Sequence, residues 1–183
     1  MGTDKARLLV EGRVLAEYVA DVMTQVVAPV LEVGPGVTEL RAVAERPIGA
    51  GPLAAVAAGW EALQALGDPV AVLVLACDLP LVTVGLLELL ATWPGDSSVV
   101  PVVAGRAQPL CARWSRGALT ESRGRLVHDS TLAHLVDSAE TIVIDESVWG
   151  SLVDPRVFED VDRPEDLGRL GLSWRAGAER PVT

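Results

Sequence analysis

The sequence predicts a single three-layer α/β domain with a mostly parallel sheet, and three observations carry that prediction. Val70 to Ala76 is an unbroken apolar run rich in β-branched residues, closed by Cys77-Asp78-Leu79-Pro80. Such a run reads as a strand buried on both faces, and Pro80 ends any ladder. Segments of strand and helix character alternate up to Pro94-Gly95, the pattern of a sheet covered by helices on both sides. The chain has 183 residues, 50% of them hydrophobic, enough for one domain with a substantial core and too few for two. Residues 1–172 are read as that domain, and residues 173–183 as a flexible tail without periodicity.

The elements follow in order. Arg13 to Val26 carries Leu15, Tyr18, Val19, Val22 and Val26 at helical spacing. Ala28 to Val33 reads as a strand closed by Gly34-Pro35-Gly36. Val37 to Ala50 is a loop with a short strand near Ala42-Val43. Pro52 opens a helix whose buried face is Leu53, Val56, Ala57, Trp60, Leu63 and Leu66, with proline suited to the first turn. After the strand ending at Asp78, Val84 to Trp93 is a helix stopped by Pro94-Gly95. Ser98 to Val103 and Pro109 to Trp114 are strands joined at Gly105-Arg106. Beyond these, Ser115 to Ser122 is a helix, Ser130 caps a helix to Val136, and Thr141 to Ile144 is a strand. Phe158 to Asp162 is a short edge strand, and Pro164 opens a last helix.

The net charge of −10 argues against nonspecific nucleic-acid binding. Two cysteines, Cys77 and Cys111, suggest neither a disulfide framework nor a metal knuckle and fit a reducing compartment. Cys77 is read as a small core residue. No apolar run reaches membrane-spanning length and the first residues do not resemble a signal peptide, so a cytoplasmic protein is expected.

Asp78 is the foremost candidate site residue. It stands at the carboxyl end of a central strand, where open α/β sheets bind ligands. There it is either a Mg²⁺ ligand for a nucleotide phosphate or a cap for the following helix. Lys5, after a glycine-containing turn, is either a phosphate-binding cation or a solvated terminal residue. Gly49-Ala50-Gly51-Pro52 precedes a helix, where free N–H groups favour anions and glycine permits close approach. Asp160 and Asp162 share one side of the predicted strand, and one of them could join Asp78 at a metal; the other reading is an acidic edge that discourages strand addition. Arg106 and Gln108 either bind a second substrate or decorate a hairpin. His128 and His134 lack partners at metal spacing, and no Ser-His-Asp or Cys-His arrangement is evident.

Taken together, these segments resemble the molybdenum cofactor guanylyltransferases of the MobA type, members of the Rossmann-like nucleotidyltransferase superfamily. Met1-Gly2-Thr3-Asp4-Lys5-Ala6 is similar to the end of their signature LAGGxSxRMGxDKA. Gly51-Pro52-Leu53-Ala54 matches GPLAG, Cys77-Asp78-Leu79-Pro80 matches CDMP, and Gln108-Pro109-Leu110-Cys111-Ala112 matches QPLxA. Phe158 to Leu167 matches FxNINTPEDL. The matches run in the family's order and cover nearly the whole chain.

The resemblance implies transfer of GMP from GTP to molybdopterin with release of pyrophosphate. It implies Mg²⁺ held by Asp78 and Asp162, Lys5 and Asp78 as the catalytic pair, and a nucleotide contacting Lys5, Gly34, Gly51 and Asp78. Expected partners are GTP, molybdopterin and molybdoenzyme maturation proteins, with no nucleic acid and no membrane. Three departures from the family pattern stand out, and two of them open alternatives. The LAGGxSxR portion, which supplies the family's first strand and phosphate-cradling loop, is missing ahead of Met1. A start site assigned too late or a trimmed chain is the expected cause, and a catalytically inactive binding protein is the alternative. Asp160 and Asp162 stand where guanylyltransferases have Asn, as in cytidylyltransferase relatives, and Ala55 stands where the family has Gly. A cytidylyl- or sugar-phosphate nucleotidyltransferase is therefore the alternative specificity.

Overall fold

The computed structural model describes residues 5–125, 132–137 and 140–175. A 3-10 turn at Lys5–Arg7 leads into a small hairpin, β1 (Leu9–Val10) and β2 (Arg13–Val14). Helix α1 (Leu15–Thr24) follows, burying Leu15, Val19, Val22 and Met23 as its spacing requires. Strands β3 (Leu31–Val33) and β4 (Arg41–Val43) pair in parallel, Leu31 opposite Arg41. Helix α2 (Pro52–Gln64) starts at the expected proline. Its buried Gly59 lets it lie close on β3, because a Cβ there would sit 3.0 Å from Val33 Cγ2. Strand β5 (Ala71–Leu75) and helix α3 (Val84–Ala91) come next.

The main sheet is completed by β6 (Ser98–Val103), β7 (Arg106–Ala107) and β8 (Cys111–Ser115), followed by helices α4 (Arg116–Arg125) and α5 (Ala133–Val136) and then β9 (Thr141–Ile144). Helix α6 (Glu146–Trp149), a 3-10 turn at Pro155–Phe158, α7 (Pro164–Arg169) and β10 (Trp174–Arg175) end the described chain. The strand order is β5-β8-β6-β7, with β9 also on β6. Strands β5, β6 and β9 point one way, and β8 runs against both β5 and β6. The α/β layering is as expected. The direction is shared by most strands, yet the pairings at the centre are antiparallel because β8 is inserted between β5 and β6.

Alternation along β5 divides the core into two layers. Leu73 and Leu75 pack toward α1, α3, Trp149 and Leu167. Val72 and Val74 pack toward Leu53 and Trp60 of α2, Trp114, Leu119 and Leu135. The most buried strand is β8, where all five residues are inside. Arg113 is tolerated there because its guanidinium donates to the Trp93 and Gly95 carbonyls at 2.6 and 2.5 Å. Ser115 is tolerated because its N–H and hydroxyl meet Ser98 Oγ.

Two expectations are corrected. The 70–76 run reads in sequence as buried on both faces, yet every residue of β5 is only half-buried and Val70 is 59% exposed. The cause is an open edge: among the described residues β5 pairs only with β8, and β3 only with β4. Between those two edges lies an apolar cavity of about 530 Å³, walled by Leu31 and Val33, by Leu73, by Met23 of α1 and by Val56 and Trp60 of α2. Trp60 is buried, and its indole N–H has no partner among the described residues. No described strand lies in this slot.

Phe158–Asp162 is not a strand. Asp154 caps a 3-10 turn by accepting from Arg156 N at 2.9 Å, and Phe158 and Val161 are both buried three residues apart, a spacing that strand alternation does not allow. Part of the expected tail is paired, Trp174 with Val10 and Arg175 with Leu9. Residues 176–183 lie outside the described residues, as do Ser130 and His128.

Candidate functional site

The chain leaves β5 through Ala76, whose N–H donates to Leu110 O at 2.7 Å, and turns at Cys77-Asp78. Asp78 is half-buried and lines the end of the large cavity. It does not cap α3. Thr83 does, its hydroxyl accepting from Leu86 N at 3.4 Å. Of the two readings of Asp78, helix capping is thus filled by another residue.

Asp78 is joined to the last motif through the backbone: its carbonyl accepts the N–H of Val161 at 2.9 Å. Val161 is fully buried, and Asp160 and Asp162 flank it, both exposed. The position of Asp162 is fixed from the other side as well. Asp166 Oδ2 accepts from Asp162 N at 3.1 Å and from Arg163 N at 2.9 Å, closing the start of α7. Two segments far apart in sequence thus bring Asp78 and Asp162 to one corner of the sheet. The donor set suits Mg²⁺, which takes hard oxygen ligands and needs only one or two carboxylates when phosphates and water complete its shell. No group of three or more metal-ligating side chains occurs among the described residues, so a protein-only metal cage is not what they offer.

Pro52, at the start of α2, lines the same cavity as Asp78. Gly51 adopts φ +99°, a backbone state that favours glycine, and Pro52 occupies the first helical position with no side-chain cap. The N-terminal N–H groups of this long helix are therefore available for an anion or a polar ring edge. Lys5 lies in the opening turn, and its neighbour Ala6 lines the same cavity as Asp78; the Lys5 side chain is outside the described residues. Gly34 donates its N–H to Val43 O at 2.9 Å and opens the loop after β3.

Glu32, which the motifs do not single out, organises that loop. Its carboxylate accepts from the N–H groups of Gly36 (2.7 Å), Val37 (2.8 Å) and Thr38 (2.8 Å) and from the Thr38 hydroxyl (2.8 Å). Partial burial pushes its pKa up, but the donors at Thr38, Val37 and Gly36 together outweigh this and hold the carboxyl below its usual range. An acid inside an apolar strand, followed at once by Gly-Pro-Gly, is the signal in the sequence that marks it. Cys77, expected in the core, is exposed because the chain turns there. Cys111 is the buried thiol, its pKa pushed up to about 12 by burial, which leaves it unreactive. Arg106 is exposed on β7, and Gln108 Nε2 donates to its carbonyl at 3.2 Å. No described helix is long and apolar enough to cross a membrane.

Comparison with known proteins identifies a nucleotidyltransferase family. The profile of the MobA-like NTP transferase domain matches residues 1–142. A probable molybdenum cofactor guanylyltransferase from Chloroflexus aggregans is 34% identical over 140 residues, 69% of this chain and 62% of that protein's length. The match therefore spans less than two thirds of that relative. Among solved structures, molybdopterin-guanine dinucleotide biosynthesis protein A from Archaeoglobus fulgidus superposes with a TM-score of 0.73 at 20% identity, covering 92% of this chain and 89% of that one. The 2-C-methyl-D-erythritol 4-phosphate cytidylyltransferase from Thermus thermophilus superposes with a TM-score of 0.63 at 22% identity, covering 90% and 91%. At those identities the structural likeness shows the shared nucleotidyltransferase fold.

Proposed function

The chain belongs to the MobA-like NTP transferase family, and from that premise we propose that it transfers GMP from GTP to molybdopterin. A phosphate oxygen of the acceptor attacks the α-phosphorus of GTP, a new P–O–P bridge forms, the bond to the β-phosphate breaks and pyrophosphate leaves. No proton needs to be removed, because the attacking phosphate is already ionised near neutral pH. The work left to the protein is positioning and charge neutralisation.

The observation that carries this reading is the Val161 to Asp78 backbone bond, which ties the strand-end acid to the Asp160-Val161-Asp162 segment. Asp78 and Asp162 would hold Mg²⁺, and Mg²⁺ when bound supplies positive charge to the α-phosphate and the leaving group. Lys5 neutralises the triphosphate. Gly51 and the α2 N-terminus admit the nucleotide close to backbone N–H groups, and Gly34 with the Glu32-ordered loop borders its base end. The protein then acts in the cytoplasm on small molecules, with molybdoenzyme maturation proteins as recipients of the product.

Calorimetry tests the reading. GTP should bind more tightly with Mg²⁺ than without, and Asp78→Asn should remove that difference. A CTP preference would select the cytidylyl alternative that Asp160 and Asp162 suggest. The open slot between β3 and β5 supports a second reading, that this stretch alone binds nucleotide weakly or not at all because the phosphate-cradling loop belongs with a strand that would fill the slot. Titrating GTP into the same sequence carrying a LAGGxSxR-type extension ahead of Met1 separates the two.

A further inference from the structure

We propose that Glu11 is a positioning residue for the nucleotide site: by clamping Ser173 it fastens the segment that follows Asp162 onto the hairpin that follows Lys5, and so holds the lysine's turn in place relative to the metal corner. This role rests on the transfer reading above and concerns how its cation is placed. Glu11 and Ser173 meet through three hydrogen bonds. Glu11 N–H donates to the Ser173 carbonyl at 3.0 Å. Glu11 Oε1 accepts from Ser173 N–H at 2.9 Å and from its hydroxyl at 3.0 Å. Strand pairing extends the contact, with Val10 opposite Trp174 and Leu9 opposite Arg175.

Glu11 holds a backbone state that is uncommon for its type. It is the first of the two turn residues between β1 and β2, with φ +51°, and Gly12 follows at φ +83°. A two-residue hairpin turn of this kind favours Gly, Asn or Asp, since positive φ crowds a larger side chain. Glutamate gives up that local preference, and the gain is the contact itself: its N–H and its carboxylate both reach Ser173. The N–H and hydroxyl of Ser173 hold the carboxyl below its ordinary range. A strained residue kept in a contact across 162 positions of sequence points to a role beyond closing a hairpin.

The clamp joins two ends of the candidate site. On one side, Asp162 leads through Arg163 into α7, whose Leu167 is buried, and Leu172 N–H closes on the Leu167 carbonyl at 2.9 Å. Ser173 follows directly. On the other side, the Lys5–Arg7 turn leads into Leu8, buried in the same cluster as Val10, Leu167 and Leu170. The Leu8 carbonyl accepts from Leu15 N at 2.8 Å. The route from Asp162 to the lysine's turn therefore passes through short, packed elements, and the Glu11–Ser173 contact closes it. Lysine is a flexible point charge, so fixing its backbone in advance reduces the ordering that nucleotide binding must supply.

GTP affinity in the presence of Mg²⁺ is measured by calorimetry on the full chain and four variants, each with a thermal melt. Glu11→Gly removes the carboxylate while suiting positive φ, and Glu11→Gln keeps an acceptor oxygen. Lys5→Ala removes the cation, and the fourth variant combines Lys5→Ala with Glu11→Gly. Expected are a loss of about 3–10-fold in Glu11→Gly, the scale of one hydrogen-bonded contact, affinity close to the full chain's in Glu11→Gln, and no further loss when Glu11→Gly is added to Lys5→Ala. Losses that add in the double variant would show that Glu11 does not act through Lys5. That outcome, unchanged affinity in Glu11→Gly, or an equal loss in Glu11→Gln would overturn the role and leave the transfer reading standing. A full chain that binds no GTP would remove the transfer reading and the positioning role with it.

Discussion

The carbonyl of Asp78 accepts the N–H of Val161 at 2.9 Å, and this one backbone bond fastens the acid at the end of β5 to the segment that carries Asp162. It makes the relative position of two acidic residues a property of the backbone rather than of flexible side chains. Asp78→Asn should therefore leave folding intact, because the backbone bond survives. It should lower turnover by about 10²–10³-fold, the scale of removing one electrostatic contact to the reacting groups. Steady-state turnover beside a thermal melt checks this, and near-normal activity would sink the metal assignment.

Val161 is fully buried between the two acids. Val161→Ala should cost about 1–3 kcal/mol through the lost methyl groups and the cavity they leave, and should weaken Mg²⁺-dependent GTP binding without touching either carboxylate. Urea denaturation and calorimetry on one sample separate the two effects.

Glu32 ties the loop at 36–38 to β3 through its carboxylate. Its folded pKa lies below the ordinary value of 4.5. A depressed carboxylate stabilises the fold fully above the unfolded pKa and loses that contribution as pH falls through the folded value. Amide exchange at Val37 and Thr38 should stay slow from neutral pH down to that region and accelerate below it. Glu32→Gln should remove the acid dependence and cost roughly 1–3 kcal/mol at neutral pH.

Arg113 buries its guanidinium in β8 against two carbonyls of the loop after α3. Arg113→Leu should destabilise by about 2–4 kcal/mol, since the carbonyls of Trp93 and Gly95 lose charge-assisted donors. Nucleotide affinity should not change, and a loss of GTP binding at full stability would contradict the structural role.

The open edge of β5 predicts that its outward amides exchange faster than those of β8, which is paired on both sides. A chain extended ahead of Met1 by an apolar strand-forming segment should slow that exchange and raise the melting temperature by about 2–4 °C for each kcal/mol gained. Unchanged exchange in β5 would mean that the slot is not occupied by that segment.

Much of this molecule is legible from local sequence. The Val70–Ala76 run, Pro52 opening α2, the periodicity of α1 and the Asp78-Leu79-Pro80 stop each report a property of a few consecutive residues, and chain-local patterns determine such elements. The ordered motifs likewise mark Asp78, Gly51 and Asp162 as candidates for one site without any geometry. What the sequence could not determine was set by pairing between distant segments. Tertiary structure alone decided that Thr83 rather than Asp78 caps α3, that β8 rather than β5 is the most buried strand, and that Val161 binds the Asp78 carbonyl. It also decided that Glu32 holds a loop and that Glu11 meets Ser173. The physical reason is that hydropathy records how apolar a residue is but not whether its strand has a neighbour. Which edge is open, and which backbone group meets which, is settled only when the whole sheet is assembled.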